Sequence, residues 1–159
     1  MTAMTYDFPT QLVEGQEYER RLDEHFRKFR VQITPATMEQ QRQGIDRVFF
    51  FPATGSRDTI EYKADSIAGK TGNAFIETVS VDTPSISKPG WAVTSQAKYL
   101  VYMVTDPEAI YLVLMANIKA MLPKWRERYP TKAAQNNGYR TLGVVVPITE
   151  LERIAICVW

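Results

Sequence analysis

Three side chains combine type and spacing in a way that could support chemistry: Asp46, Glu61 and Lys63. Cutting a phosphodiester bond needs an activated water and a counter-charge for the phosphate, and a divalent cation supplies both. Mg²⁺ takes hard oxygen ligands and keeps several waters, so a site for it offers two or three carboxylates, a backbone carbonyl and a neighbouring cation. Glu61 and Lys63 are separated only by Tyr62. On a strand they project from one face while Tyr62 points to the other. If Asp46 opens the preceding strand, its carboxylate can lie beside Glu61, because opposed residues of an antiparallel pair hold their Cβ atoms about 4.5–5.5 Å apart. The turn between the strands permits this pairing without fixing its register.

The elements that must position these groups follow from local patterning. Gly44 precedes Ile45–Phe51, whose aromatic and β-branched content predicts a strand covered on both faces. Pro52, Gly55 and Ser56 mark a turn, and Thr59–Ala64 returns as the second arm of an antiparallel hairpin. Upstream, Tyr18, Leu22, Phe26 and Phe29 are spaced for one face of a helix over Glu14–Arg30. Met38–Gln43 reads as a polar connection. Downstream, Gly69 and Gly72 break the chain before a third strand, Ala74–Val81, and Asp82–Gly90 reads as a loop. A short helix over Trp91–Lys98 and a strand over Tyr99–Val104 come next. Asp106-Pro107 then turns the chain through Ile110–Tyr111 into a longer helix carrying Leu114, Ile118, Met121 and Leu122, kinked or restarted at Pro123. Asn136-Asn137-Gly138 turns into a last strand, Tyr139–Val146, ended by Pro147. This order predicts an α/β architecture with a mixed central β-sheet flanked by helices.

Gly44-Ile45-Asp46, a strand, and Ile60-Glu61-Tyr62-Lys63 together resemble the PD-(D/E)XK signature of restriction-endonuclease-like enzymes, with Ile45 at the usual proline. Gly15-Gln16-Glu17-Tyr18-Glu19-Arg20-Arg21-Leu22 is similar to the opening helix of Holliday-junction resolvases in that superfamily. The resemblance implies a restriction-endonuclease-like core and a Mg²⁺-dependent DNA endonuclease, with Mn²⁺ able to substitute. Asp46, Glu61 and Glu19 would hold the metal together with the carbonyl of Tyr62, and Lys63 would orient the attacking water or stabilise the transition state. Glu17 competes with Glu19 for the helix position. Small members of this class commonly pair as homodimers to cut both strands.

Composition bounds these expectations. A chain of 159 residues, 45% apolar and 23% charged, suits one globular domain over 1–159. No apolar run approaches the roughly 20 residues of a bilayer span, so no membrane partner is expected. Met1–Glu14 lacks a secretory profile and Cys157 is the lone cysteine, which fits a reducing, cytoplasmic setting. The net charge of +1 gives no global bias toward DNA, so binding would rest on a local basic surface.

Other residues support competing readings. Glu77, inside the apolar run Phe75–Val79, is an extra metal ligand or, more simply, a partner for Lys63 or an arginine. Gln96 and Tyr99 resemble a Gln…Tyr element of RecB-type nucleases, one residue too close together, and are candidate substrate contacts. Ala64–Thr71 fits a permissive P-loop pattern, but Gly72-Asn73 and a β-type run follow where a helix is required. Lys70 is better read as a phosphate contact. Lys88 and Trp91 could touch substrate or a partner subunit, whereas Trp125 continues an apolar helix stripe and reads as packing. His25, the only histidine, has no zinc-type partners and is expected at the surface or an interface. A different class of function, a non-catalytic nucleic-acid-binding or assembly protein of the same fold, would keep the acids without the metal.

Overall fold

The computed structural model describes residues 8–159. Met1–Asp7, the first part of the N-terminal stretch expected to carry no secretory signal, lies outside them. Helix α1 (Phe8–Arg27) presents Leu22 and Phe26, both buried, to the protein. It ends at a turn in which Arg30 adopts a left-handed φ of 57°. A short edge strand, β1 (Gln32–Pro35), and a helical turn, α2 (Met38–Arg42), follow. The turn is nucleated by a capping box in which Thr37 accepts from the Gln40 N–H and Gln40 accepts from the Thr37 N–H. Met38–Gln43 is therefore mostly helical rather than an irregular connection.

The expected hairpin is present as β2 (Arg47–Phe51) and β3 (Ser56–Asp65), antiparallel with Arg47 opposite Ile60. After Asp65 the chain makes α3 (Ala68–Thr71), then β4 (Asn73–Asp82), β5 (Ser87–Pro89) and α4 (Trp91–Thr94). Next come β6 (Tyr99–Thr105), β7 (Glu108–Leu114), α5 (Met115–Arg128) and β8 (Thr131–Gln135). The described chain closes with β9 (Arg140–Pro147), α6 (Ile148–Ile154) and β10 (Ala155–Val158).

The strands form a six-stranded sheet, ordered β1-β2-β3-β6-β7-β10, and a four-stranded sheet, ordered β5-β4-β9-β8. In the larger sheet β3 and β6 run parallel while the other neighbours are antiparallel. The central sheet is thus mixed and flanked by helices. Alternation along β3 and β6 sorts their side chains between two cores. Ile60, Tyr62, Val101 and Met103 pack under α1 with Leu22 and Phe26. Leu100, Tyr102 and Val104 face the opposite layer, built from α5 and from Ala74, Ile76, Val144 and Val146 of the smaller sheet.

Several boundaries differ from expectation. The third strand does not extend the hairpin's sheet; β4 crosses to pair with β9 instead. Ile110 and Tyr111 belong to a strand, and the long helix begins only at Met115. Pro123 sits inside α5 without ending it. Its stripe, Ile118, Leu122 and Trp125, is buried, and the Trp125 indole donates to Glu150 at 3.1 Å, which makes packing its role. Phe49 is buried but Phe50 and Phe51 are only half-buried, so β2 is not enclosed on both faces. Among the described residues, no helix is long and apolar enough to cross a membrane.

Candidate active site

The β2–β3 ladder ends at the Arg47–Ile60 pair, and Asp46 lies just beyond it, beside Ile60 and Tyr62 on either side of Glu61. Asp46 donates its N–H to the Ile60 carbonyl at 2.8 Å, and its Oδ2 accepts the Tyr62 N–H at 2.7 Å. A residue in a strand turns its N–H and C=O to the same side. The Tyr62 carbonyl therefore faces the Asp46 side of β3, beyond the last residue pair of the β2 ladder.

Glu61 and Lys63 share the other relevant direction, the face looking toward the smaller sheet. The Glu61 residue is 4% exposed, and its Oε1 receives Lys63 Nζ at 2.7 Å. Burial pushes the Glu61 carboxyl up to about 7 against the pull of Lys63, with Asp46 and Glu77 adding to the rise. Lys63 is at the lip of a cleft, its side chain 35% exposed. Burial disfavours its charge, but Glu61, Asp46 and Glu77 together hold the ammonium above its ordinary range.

Glu77 reaches the same region from β4. Its Oε1 accepts the Trp91 N–H at 3.3 Å, and Gly90 is packed so closely that a Cβ there would lie 2.7 Å from the Glu77 Cγ. Burial raises the Glu77 carboxyl, opposed by Lys63 and by that N–H. Glu77 thus feels Lys63 electrostatically, while Lys63 makes its direct ion pair with Glu61.

Glu19 is placed differently. It projects from α1 and is paired with Arg47 Nη2 at 2.9 Å. The same guanidinium bonds Asp23 through Nε at 3.1 Å and the Asp46 carbonyl through Nη1 at 3.0 Å. Tyr62 completes the group by donating its hydroxyl to Asp23 at 3.1 Å. Glu19 and Gly15 do line one cleft with Lys63, and Glu17 is turned to Arg20 at the surface. The Glu19 carboxylate, however, is neutralised by Arg47 rather than brought to Glu61. Arg47 is the residue that sequence reasoning missed. Its signal was an arginine directly after the candidate Asp, able to tie the site loop to the acids of α1.

Among the described residues, no three His, Cys, Asp or Glu side chains are arranged as a metal-holding group. The carboxylates gathered near Lys63 are Asp46, Glu61 and Glu77. Two hard oxygens and a backbone carbonyl are the modest protein contribution that Mg²⁺ requires, since it keeps waters and takes substrate oxygens for the rest. A buried carboxyl raised toward neutrality also favours a cation over an empty site.

The remaining candidates fall outside this group. Tyr99 sits beneath the α1 side of the sheet, away from Glu61, and Gln96 uses its N–H to bond Gln43. Gly69-Lys70-Thr71 lies in the four-residue α3, ended by Gly72 at a φ of 72°. A Cβ at Gly69 would be 1.8 Å from the Asp106 carbonyl oxygen, so that glycine serves close packing rather than a phosphate loop. Lys70 and Lys88 are exposed, whereas Trp91 is largely buried and reaches the surface only at the wall of a cleft it shares with Lys63 and Glu77. His25 is half-buried among Phe26, Phe29 and Trp159, with its Nε2 enclosed and unpartnered.

Fold and geometry together define an α/β protein with a mixed central β-sheet flanked by helices. No family model matches the chain, and no curated protein matches its sequence. Among solved structures it is similar to the bacterial homing endonuclease I-Ssp6803I, with a TM-score of 0.52 and 16% identity over 68% of this chain and 71% of that one. At that identity the likeness is one of fold.

Proposed function

We propose that this chain is a metal-dependent DNA endonuclease of the PD-(D/E)XK type, hydrolysing phosphodiester bonds at Asp46, Glu61 and Lys63. The observation that carries this reading is the Asp46 carboxylate held on the Tyr62 N–H, next to a buried Glu61 that is paired with Lys63. The fold likeness to a homing endonuclease supports the same class of chemistry. Asp46, Glu61 and the Tyr62 carbonyl would hold Mg²⁺, or Mn²⁺ in its place, which supplies an acidified water and charge neutralisation at the phosphate.

The chain's own residues do the rest. Asp46 is oriented by the Tyr62 N–H and by the Arg47 contact to its carbonyl. Lys63, paired with Glu61 at 2.7 Å, would offer its ammonium to the attacking water or to the non-bridging phosphate oxygens. Glu19 enters as a metal-site acid only if Arg47 gives it up to substrate phosphate. The reading includes one domain over 1–159, two copies acting on a duplex, and a cytoplasmic setting compatible with the single free Cys157.

The test is incubation with supercoiled, linear and branched DNA in Mg²⁺, Mn²⁺ or EDTA, beside Lys63→Ala. Cleavage that requires metal and Lys63 is expected. Undiminished cleavage by the variant would overturn the assignment, and tight metal-independent binding without cleavage would favour a binding or assembly protein.

A further inference from the structure

The cleft beyond Lys63 is larger than the catalytic group needs. It encloses ≈600 Å³ between the end of β3 and the smaller sheet, lined among others by Lys63, Phe75, Glu77 and Lys132. That volume is in the range of small-molecule sites and too small to admit a duplex. Lys63 belongs both to this cleft and to the proposed catalytic group, so whatever enters lies beside the bond to be cut.

The floor is built around Phe75. It stands opposite Val145 on β9, one same-face step from the row Lys132–Gly143–Glu77. A Cβ at Gly143 would lie 2.6 Å from two ring carbons of Phe75. A glycine inside a strand weakens it and often marks a close approach of another group. Here it lets the ring lie against the β9 backbone while still lining the cleft. Phe75 is only half-buried, and Lys132 on the edge strand β8 is exposed.

The lining is balanced in formal charge, but Lys63 is paired with Glu61 whereas Lys132 forms no ion pair among the described residues and is left to meet an anion. Its lysines are Lys63 and Lys132 and its carboxylates are Asp65 and Glu77. Asp65 is already occupied: it accepts the N–H groups of Ile67, Ala68 and Phe75 and the Tyr102 hydroxyl. Glu77 is tethered by the Trp91 N–H. An aromatic platform next to an exposed lysine is the pairing that single-stranded nucleic acid uses, bases on the ring and phosphates on the cation.

We propose that this cleft receives an unpaired deoxynucleotide adjacent to the scissile bond, its base stacked on Phe75 and its phosphate held by Lys132. The inference rests on the nuclease reading and sharpens its substrate class to DNA with an unpaired or opened stretch at the cut site.

The test separates the two. Binding is measured in EDTA by anisotropy, with a fully paired duplex and the same duplex carrying a single unpaired 2-aminopurine. The unpaired site should bind about tenfold more tightly and its fluorescence should be quenched. Phe75→Leu should remove that preference without weakening the paired duplex, and Phe75→Tyr should restore it. Lys132→Ala should weaken both and lower the salt dependence by about one phosphate contact. Equal binding of the two DNAs, no binding of either, or a preference unaltered in Phe75→Leu would overturn the assignment of the cleft. Failure of the wild type to cleave either DNA in Mg²⁺ or Mn²⁺ would instead strike the nuclease reading, because the EDTA result needs no catalysis.

Discussion

Replacing Glu61 by Gln should stabilise the metal-free protein above neutral pH, although it should destroy activity. Folding raises the Glu61 carboxyl from 4.5 to about 7, chiefly by burial. Because the folded state holds this proton more tightly than the unfolded one, the associated stability is complete below about pH 4.5. It is lost as pH rises through about 7. At about 1.4 kcal/mol for each pH unit, the full loss is about 3 kcal/mol. Gln mimics the protonated form and escapes it. In a chain of this length the variant should therefore melt about 6–12 °C higher at pH 8, and close to the wild type at pH 4.5. Glu77 titrates in both proteins, so their difference reads Glu61 together with its coupling to Glu77 and Lys63. The assay is thermal or urea unfolding from pH 4.5 to 8.5 in EDTA, repeated with Mg²⁺. Metal should recover wild-type stability by mass action and leave the variant unmoved. Parallel pH profiles for the two proteins would refute the reasoning.

Lys63→Ala should lower the cleavage rate about 10²–10³-fold in single-turnover assays, the usual effect of removing one transition-state stabiliser. Asp46→Asn should abolish Mg²⁺ dependence of stability while changing the metal-free melting temperature little, because the amide oxygen can still accept the Tyr62 N–H. Arg47→Ala leaves Asp23, whose side chain is 13% exposed, without its cation, and should cost about 3 kcal/mol in urea unfolding. Burial lowers the His25 pKa, with Lys28 adding to the drop and Glu108 opposing it; His25→Phe should therefore gain stability relative to the wild type as pH falls below 6.5, read as the difference between their urea unfolding curves.

Much of the site was legible because strand alternation is a strict rule. Glu61 and Lys63 had to share a face, whereas the place of the Asp46 carboxylate depended on how the hairpin closed, which is seen only in its bond from the Tyr62 N–H. Glu19 was not decidable in this way. Its fate depends on Arg47, which is adjacent to Asp46 in sequence but meets α1 only in the folded chain. Ile110–Leu114 is a continuous apolar run that periodicity assigns equally well to a strand or a buried helix, and pairing with β6 decides it. Strand β8 is Thr-Lys-Ala-Ala-Gln, fully exposed, and carries no apolar alternation to announce it. The turn α2 did carry a local signal, Thr37 three residues before Gln40, in the form of a capping box. That β4 leaves the hairpin's sheet for β9 is a tertiary choice with no local signature.

The most direct test of the catalytic assignment is an anomalous difference map from crystals soaked in Mn²⁺. A peak within bonding distance of the Asp46 and Glu61 carboxylates and the Tyr62 carbonyl, absent in Asp46→Asn crystals, is the expected result. A map with no peak at this position, or with manganese bound only elsewhere, would contradict it.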